Sequence, residues 1–368
     1  MEWKTVKLGE ILNFRRGHDL PHSEMRQGDI PVAGSNGCIG FHNVATPIAP
    51  IITIGRSGNI GTPYYYEKAW SHNTTLYIDD FKGNNPKYLY YLLKTLPLAA
   101  FTGGSAVPTL NRNHIHPLEV LHIDNKATQD KIVAILSSFD DKIENNNRIN
   151  RNLEEQAQAL FKSWFVDFEP WGGKMPEDWK ETTIGEICKC YLGGTPSRAK
   201  SEYWNGDIPW INSGEVNKYR IIEGSEYITE LGLKKSATKL LPKKTTVLAI
   251  TGATLGQVSL LEIEACANQS VIGILENEKM PYEFIYPLIV NDIDKIILNQ
   301  TGGAQQHINK DNVASHNIII PTDEIMAIYK AIQAPLFESI ANNCLESARL
   351  AAMRDTLLPK LMKGEIEV

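Results

Sequence analysis

Residues 128–168 read TQDKIVAILSSFDDKIENNNRINRNLEEQAQALFKSWFVDF, and this stretch decides the architecture of the chain. Its apolar residues recur at alternating steps of four and three, which is typical of a helix that packs along a partner helix. No glycine or proline lies inside it. A helix of about 40 residues is about 60 Å long, more than a small globular core needs. The predicted seam residues of this helix are Ile132, Leu136, Phe139, Ile143, Leu153, Leu160 and Trp164.

The C-terminal residues 322–368 carry a similar apolar stripe and are predicted to form the partner helix. Asn342 and Asn343 echo Asn146 and Asn147, and asparagines at seam positions fix the register of paired helices. Pro335 is predicted to interrupt or kink this second helix. We therefore predict an antiparallel pair within one chain. The second set of seam residues is Ile332, Leu336, Ile340, Leu350, Leu357 and Leu361.

The rest of the sequence repeats itself in order. WKTVKLGEI at 3–11 returns as WKETTIGEI at 179–187, and GDIP at 28–31 returns at 206–209. Asn73 is matched to Asn268, so the offset rises from 178 to 195 and the second copy gains 17 residues in between. A period this long indicates duplication of a whole domain instead of a solenoid. The predicted order is a domain at 1–126, a helix at 127–169, a domain at 170–321 and a helix at 322–368.

Short β-rich runs broken by glycine, asparagine and proline fill both large segments. Each segment also has short helix-like runs, such as 86–96 and 281–290. We predict an α/β (α+β) fold class, with two mixed α/β domains in a pseudo-twofold arrangement, separated by the two long antiparallel coiled-coil helices.

Composition restricts the class of protein. No apolar run reaches the length of a membrane span, and the N-terminus lacks a signal-peptide pattern. Five scattered cysteines argue against a disulfide framework, so we expect a cytoplasmic protein. The net charge is −6, but residues 1–126 hold 12 basic and 10 acidic side chains, whereas 170–321 hold 15 and 18. Binding to DNA requires a local basic surface and not a basic total.

Motifs for catalysis are missing. The sequence has no GxxxxGK[ST], no GxGxxG after a strand, no GxSxG and no HExxH. The Asn/Asp-Pro-Pro-aromatic loop of amine methyltransferases is also absent. His114, His116 and His122 could be imagined as metal ligands, but their echoes in the second copy are not ligands. We predict no catalytic residue and no metal site.

Polar, glycine-rich loops recur instead. Such loops bring backbone close to a ligand, and arginine, asparagine, serine and threonine side chains bond to phosphates and base edges. The expanded segment of the second copy adds Lys218, Arg220, Lys234, Lys235, Lys239, Lys243 and Lys244. The candidate DNA-binding residues of the first copy are Arg15, Arg16, His18, Arg56, Ser57 and Asn59. Those of the second copy are Thr195, Ser197, Arg198, Lys200, Asn212, Lys234, Lys235, Thr251, Thr254, Gln305, Gln306 and Lys310.

Three stretches resemble the specificity subunits of type I DNA restriction–modification systems: 128–168, LGGTPSRAKSEYWNGDIPWINSGEV at 192–216, and RLAAMRDTLLPKLMKGEI at 349–366. The resemblance implies that two target-recognition domains each read half of a bipartite double-stranded DNA site. It implies that the helices space the domains and dock two modification subunits, which methylate adenine. Motor–nuclease restriction subunits then join. No cofactor would bind this chain, and S-adenosylmethionine, ATP and Mg²⁺ are expected on the partner subunits. The opening loops of the first domain depart from the GGTPS/YW form.

Other interpretations stay open at this point. The chain could be a self-contained methyltransferase or nuclease, although the missing motifs argue against it. It could be a structural adaptor whose twin domains bind protein or glycan. Within the family, it could serve a related system that cuts on both sides of its site. The bases recognised cannot be read from the residue types.

Overall fold

The computed structural model describes residues 3–102, 108–298 and 308–368. The chain forms two compact units, the first made of Met1–Ile143 with Arg349–Val368 and the second of Glu144–Ala348. Helices and sheets occur in both, so the predicted mixed α/β class is confirmed.

The first unit builds three sheets before its long helix. A four-stranded antiparallel sheet has the order β2-β8-β5-β6, a three-stranded sheet has the order β4-β3-β7 with β3 and β7 parallel, and β1 pairs with β9. The elements are β1 (Lys4–Lys7), α1 (Leu8–Ile11), β2 (Asn13–Arg16), β3 (Ile30–Gly34), β4 (Gly37–His42), β5 (Ile51–Gly55), β6 (Pro63–Tyr66), β7 (Trp70–Ser71), β8 (Thr75–Asp80), α2 (Pro86–Lys94), α3 (Arg112–Ile115), β9 (Glu119–His122) and α4 (Lys126–Phe165).

The second unit repeats the same three sheets. Their orders are β11-β17-β14-β15, β13-β12-β16 with β12 and β16 parallel, and β10 paired with β18. This recurrence confirms the predicted duplication. The elements are β10 (Lys180–Thr183), α5 (Ile184–Ile187), β11 (Cys190–Leu192), β12 (Trp204–Ile211), β13 (Glu226–Ile228), α6 (Glu230–Lys234), β14 (Thr246–Ala249), β15 (Val258–Leu260), β16 (Cys266–Ala267), β17 (Val271–Ile274), α7 (Tyr282–Leu298), α8 (Lys310–Ala314), β18 (Asn317–Ile320) and α9 (Asp323–Met362).

A glycine is required where β2 and β11 end. A Cβ added to Gly17 would lie 2.1 Å from the carbonyl oxygen of His72, and one added to Gly193 would lie 2.0 Å from that of Asn268. No side chain fits in so short a distance. The repeated glycine is therefore explained by the same backbone crossing in both units.

Backbone hydrogen bonds correct one predicted match between the copies. Thr75 donates to the carbonyl of His72 at 2.9 Å, and Val271 donates to that of Asn268 at 3.1 Å. His72, and not Asn73, is thus the counterpart of Asn268. The second copy gains 18 residues, since the offset is 196 and not 195. The match on residue type was wrong because the turn conserves its hydrogen bonds and not its asparagine.

The core of the first unit lies between its four-stranded sheet, α2 and the long helices. Asn85 caps α2 by accepting the backbone N–H of Tyr88 at 3.3 Å, with Pro86 in the first turn. Proline is favoured there because its missing N–H has no partner in a helix anyway. Buried members of this core include Phe14, Ile54, Ile78, Tyr88, Leu92, Ile132, Leu136, Leu358 and Leu361.

An aromatic cluster forms the core of the second unit. The ring of Phe165 lies 4.8 Å from that of Tyr329 and 4.9 Å from that of Phe284, both in edge-to-face geometry. Phe161 and Phe165 are buried, whereas the predicted seam residues Leu160 and Trp164 are only half-buried. The buried face is displaced by one residue because this end of α4 packs against α7 as well as α9.

Helices α4 and α9 run antiparallel where they pair in the second unit. Asn146 donates to a carboxylate oxygen of Glu346 at 2.7 Å, and Asn343 donates to the side-chain oxygen of Asn150 at 2.8 Å. Asn146 and Asn150 are buried and hydrogen-bonded across the pair, which fixes the register.

The C-terminal end of α9 also pairs with α4 inside the first unit. Arg354 forms an ion pair with Asp140 at 2.5 Å, and the hydroxyl of Tyr91 donates to the other oxygen of Asp140 at 2.6 Å. This contact joins α2, α4 and α9 around one carboxylate.

Two predictions about α9 are wrong. The predicted interruption at Pro335 does not occur: the helix continues through this residue, and the hydroxyl of Ser339 donates to the carbonyl oxygen of Pro335 at 2.7 Å. Ile332 is 44% exposed and is not a seam residue. Gln333 takes that place: it is fully buried and donates to the backbone carbonyl of Ala157 at 2.9 Å. A polar side chain in the seam is invisible to a search for apolar periodicity.

A buried carboxylate on α7 makes the stability of the second unit sensitive to acid. Asp292 accepts hydrogen bonds from His316 at 2.9 Å and Lys295 at 2.7 Å. Burial alone would raise the pKa of Asp292, but these bonds outweigh it and lower that pKa to about 2. In an unfolded chain the pKa of an aspartate is about 3.9. The carboxylate thus contributes about 2 kcal/mol above roughly pH 4, and this is lost as the pH falls towards 2.

We expect Asp292→Asn to lower the free energy of unfolding at pH 6 by roughly that amount, with the difference from wild type shrinking between pH 4 and pH 2. Urea unfolding at several pH values measures it. Asp294→Asn, an exposed position on the same helix, is the control. A deficit that stays constant down to pH 2 would contradict the lowered pKa.

None of the helices within residues 3–102, 108–298 and 308–368 combines the length and the apolar character that a membrane span requires.

Candidate nucleic-acid interface

One cavity in the first unit gathers the basic candidates. Arg15 and Arg16 at the end of β2, Arg56 after β5 and Arg112 in α3 line a cavity of about 400 Å³. Asn111 lies on the same wall. The sequence predicted Arg15, Arg16 and Arg56 as site residues but missed Arg112. The available signal was its echo, because the matching Lys310 was among the candidates.

The charge of this four-arginine cavity is available to a ligand. None of the four guanidinium groups forms an ion pair with a carboxylate of the described residues, and Arg15, Arg16 and Arg112 are exposed. Arg112 donates to the backbone carbonyl of Phe14 at 3.3 Å. Four unneutralised cations around one concavity produce a strongly positive local potential.

The other first-unit candidates help to shape loops. The ring of His18 lies 5.6 Å from Trp70 and 5.8 Å from Tyr77. Asn59 donates to the hydroxyl of Tyr64 at 3.2 Å, and Ser57 is half-buried nearby in sequence. These three side chains do not line the four-arginine cavity.

The second unit has different side chains at two of the equivalent positions. Arg15 and Arg16 precede Gly17 as Tyr191 and Leu192 precede Gly193. Each glycine donates its N–H to the eighth strand of its own copy at 3.0 Å. The backbones therefore match while two cations are replaced by an aromatic and an aliphatic residue.

The remaining two positions follow from loop hydrogen bonds. Arg56 donates its N–H to the carbonyl of Thr74 at 2.8 Å, as Ile250 does to that of Ser270 at 2.9 Å. Arg112 and Lys310 each follow a capping asparagine at the start of a short helix. Of the four basic positions in the first unit, only the one at Lys310 keeps a positive charge.

Arg198 is held firmly in the second unit. Its guanidinium lies 3.6 Å from the centre of the Trp204 ring and forms an ion pair with Glu226 at 2.6 Å. Trp204 in turn donates its indole N–H to the carbonyl of Ser197 at 3.3 Å. Stacking and pairing orient the planar donor fork of the arginine, and more than half of its side chain stays exposed.

Other polar candidates of the second unit bond within their own loops. Thr195 donates to the side-chain oxygen of Gln269 at 2.5 Å, and Lys200 lies 3.1 Å from the hydroxyl of Tyr203. Asn212 accepts the N–H of Gly214 at 2.7 Å and caps a turn.

The adjoining loop after β14 follows the same pattern. Thr254 donates to the carbonyl oxygen of Thr251 at 3.1 Å, and both threonines are half-buried. Gln305 and Gln306 lie outside the described residues.

The expanded segment of the second copy is less basic towards solvent than its sequence suggests. Three of its lysines form ion pairs: Lys218 with Glu215, Lys234 with Glu230 and Lys244 with Glu262. Lys235 is exposed and forms no ion pair with a described residue. These ion pairs reduce the free positive charge of the segment, because acidic neighbours lie within reach of three of its lysines.

Arg220 of this segment is fully buried. It forms an ion pair with Glu154 of α4 at 3.3 Å, and its guanidinium lies 4.7 Å from the ring of Tyr286. Glu262 is at 3.8 Å, too far for a hydrogen bond. Its inclusion among the surface cations was therefore wrong: this arginine joins the expanded segment to the long helix.

No group of three or more histidine, cysteine or acidic side chains within 3–102, 108–298 and 308–368 could hold a metal ion. His116 instead accepts the backbone N–H of Phe14 at 3.1 Å, and His122 packs against Tyr88 with ring centres 5.7 Å apart.

Comparison with known proteins gives a consistent result. The family model described as type I restriction modification DNA specificity domain matches residues 1–155 and 176–346. The type I restriction enzyme MjaIX specificity subunit of Methanocaldococcus jannaschii is 32% identical over an alignment of 302 positions, which covers 77% of this chain and 69% of that protein. The HindI specificity subunit of Haemophilus influenzae is 27% identical over an alignment of 357 positions, which covers 76% of this chain and 77% of that protein.

The fold also has a solved counterpart. The crystal structure of a type I restriction-modification system S subunit from M. genitalium superposes with a TM-score of 0.61, at 19% identity, over 98% of this chain and 96% of the other. At this identity the likeness is one of fold alone.

Proposed function

Because the chain belongs to the type I restriction–modification DNA specificity family, we propose that each of its two repeated α/β domains reads one half of a bipartite DNA sequence. The chain is the specificity subunit, which chooses the site. Methylation and cleavage would be carried out by other subunits.

One observation carries this proposal. The two units share three sheets of the same order and the same loop hydrogen bonds, yet they place different side chains at equivalent loop positions. Arg56 corresponds to Ile250, and Arg16 corresponds to Leu192. A common scaffold with different loop chemistry is what two readers of different sequences require, because base edges are distinguished by the donors and acceptors offered to them.

The long helices would set the distance between the half-sites. Each of α4 and α9 has 40 residues, about 60 Å at the rise of an α-helix. Two readers on one face of B-DNA would sit about 34 Å apart. We therefore place an unread gap between the half-sites and assign its length to the helix pair.

The same helices would dock the partners. Two modification subunits would bind S-adenosylmethionine and methylate an adenine turned out of the duplex. Restriction subunits would supply the motor and nuclease and use ATP and Mg²⁺. This division of labour fits a sequence that carries no nucleotide-binding or methyltransferase motif.

Sequencing of methylated DNA tests the proposal. The chain is expressed with its modification subunit in cells that lack other adenine methylation, and a bipartite adenine motif with a fixed gap is expected. Exchange of residues 170–321 for those of a relative should change one half of the motif and leave the other. A single continuous motif, or a motif altered in both halves, would contradict it. An adaptor that binds protein or glycan would produce no motif and no salt-sensitive DNA binding.

A further inference from the structure

The two units differ in charge at equivalent places. In the first unit Arg15, Arg16, Arg56 and Arg112 line one cavity. Their counterparts in the second unit are Tyr191, Leu192, Ile250 and Lys310. Ile250 is 5% exposed and belongs to the core. This position of the second unit therefore offers no exposed side chain to a ligand, although the backbone hydrogen bond there matches that of the first unit.

The ligand of the four-arginine cavity must be anionic. Like charges in one concavity repel each other, and a bound anion relieves that repulsion. Carboxylates of the described residues do not neutralise these arginines. Arginine forms paired hydrogen bonds to phosphate, and the proposed function supplies a dense row of phosphates in the DNA backbone.

The support of the side chains distinguishes phosphate contact from base reading. A base reader must hold its guanidinium in a fixed orientation, as Arg198 is held by the Trp204 ring at 3.6 Å and by Glu226 at 2.6 Å. Arg15 and Arg16 are exposed and have no such stacking or ion-pair support among the described residues. Contact with a phosphate does not require a fixed side-chain orientation, because a phosphate attracts a guanidinium group over a range of geometries.

We infer that the four-arginine cavity binds DNA backbone phosphates, so that the first unit supplies most of the salt-dependent affinity and the second unit supplies less of it. The inference rests on the proposed function and extends it. According to this inference, the two domains share one fold, but the first contributes more than the second to the salt-dependent affinity for DNA.

The test measures DNA affinity against salt. The full chain with its modification subunits is titrated at several KCl concentrations. The duplex carries the motif that sequencing of methylated DNA has identified. Arg15→Gln, Arg16→Gln and Arg112→Gln are combined in one variant. Each lost phosphate contact makes the slope of log affinity against log salt concentration shallower by about 0.9. The slope of the triple variant should therefore be shallower than that of wild type by roughly 3. The ratio of affinities for the motif and for single mismatches should stay unchanged.

Two matched variants sharpen the result. Lysine at the same three positions keeps the positive charge and should therefore keep the wild-type slope. If the arginines instead read bases, lysine would not replace them, because it lacks the planar donor fork of a guanidinium. Lys174→Gln, Lys189→Gln and Lys279→Gln together remove the same charge from the second unit and should change the slope by less than about 1. All the changed side chains are exposed, so unfolding midpoints should match wild type.

Three results would overturn the inference. They are a glutamine variant with the wild-type slope, a loss of discrimination confined to one base pair, and an equal loss of slope in the second-unit control. A wild-type complex that methylates no bipartite motif would instead refute the proposed function, and the inference would fall with it.

Discussion

Insertion of four residues after Ile143 in α4, together with four after Ala348 in α9, is expected to lengthen the unread gap of the methylated motif while both half-sites keep their sequence. These positions are where each helix passes from one compact unit to the other. One added turn extends a helix by about 6 Å, and the rise of DNA is about 3.4 Å per base pair. The gap should grow by about one to two base pairs, and methylation of the original motif should be lost. Sequencing of methylated DNA measures both.

The matched control places the same four residues after Gly173. Gly172 and Gly173 both have positive φ, and no atom lies within 4 Å of a Cβ added at either, so this turn can accept added chain. We expect that variant to keep the original gap. Insertion into α4 alone should instead impair folding, because the Asp140–Arg354 pair and the Asn150–Asn343 pair, which lie on opposite sides of the insertion, could not both keep their register. A lengthened pair of helices that leaves the gap unchanged would reject the assignment of the gap to the helices.

Glu154→Ala is expected to destabilise the second unit by about 3 kcal/mol or more, because it leaves a buried cation without its closest partner. Arg220 is fully buried, with Glu154 at 3.3 Å and Glu262 farther away at 3.8 Å. The hydroxyl of Tyr219 also donates to Glu154 at 2.9 Å and would lose that acceptor. Urea unfolding followed by tryptophan fluorescence measures the change, and most tryptophans of the chain lie in this unit.

Neighbouring substitutions separate charge from helix propensity. Glu155→Ala changes the adjacent, exposed glutamate on the same helix and should alter stability by less than about 0.5 kcal/mol. Glu154→Gln keeps the shape and a hydrogen-bond acceptor and should fall between the two. Equal stability of Glu154→Ala and Glu155→Ala would show that Arg220 does not depend on this carboxylate.

The sequence succeeded where one periodicity controls structure over many residues. The step of four and three predicted α4 within a few residues at each end, and the repeated WK…GEI and GDIP stretches predicted two copies of one fold. It failed where a single residue breaks the pattern. Ile332 fits the apolar stripe, but Gln333 occupies the seam, where its side-chain N–H groups bond to the carbonyl of Ala157 and the hydroxyl of Tyr329.

For the candidate site, the sequence named three of the four arginines that line the cavity of the first unit. It could not find Arg112 as a member of the cavity, because the residue is 56 positions from Arg56 along the chain and joins it only through folding. It also could not tell that Arg220 is buried, because burial depends on partners from α4 and α7.

The amino-acid sequence alone determined the class of fold, the duplication and the existence of two long helices, because these follow from local periodicity and from repetition along the chain. Only the tertiary structure decided which cations remain free. Charge becomes available or neutralised through contacts between distant segments: Glu154 neutralises Arg220, Glu226 orients Arg198, and Arg15, Arg16, Arg56 and Arg112 meet in one cavity without a carboxylate among the described residues.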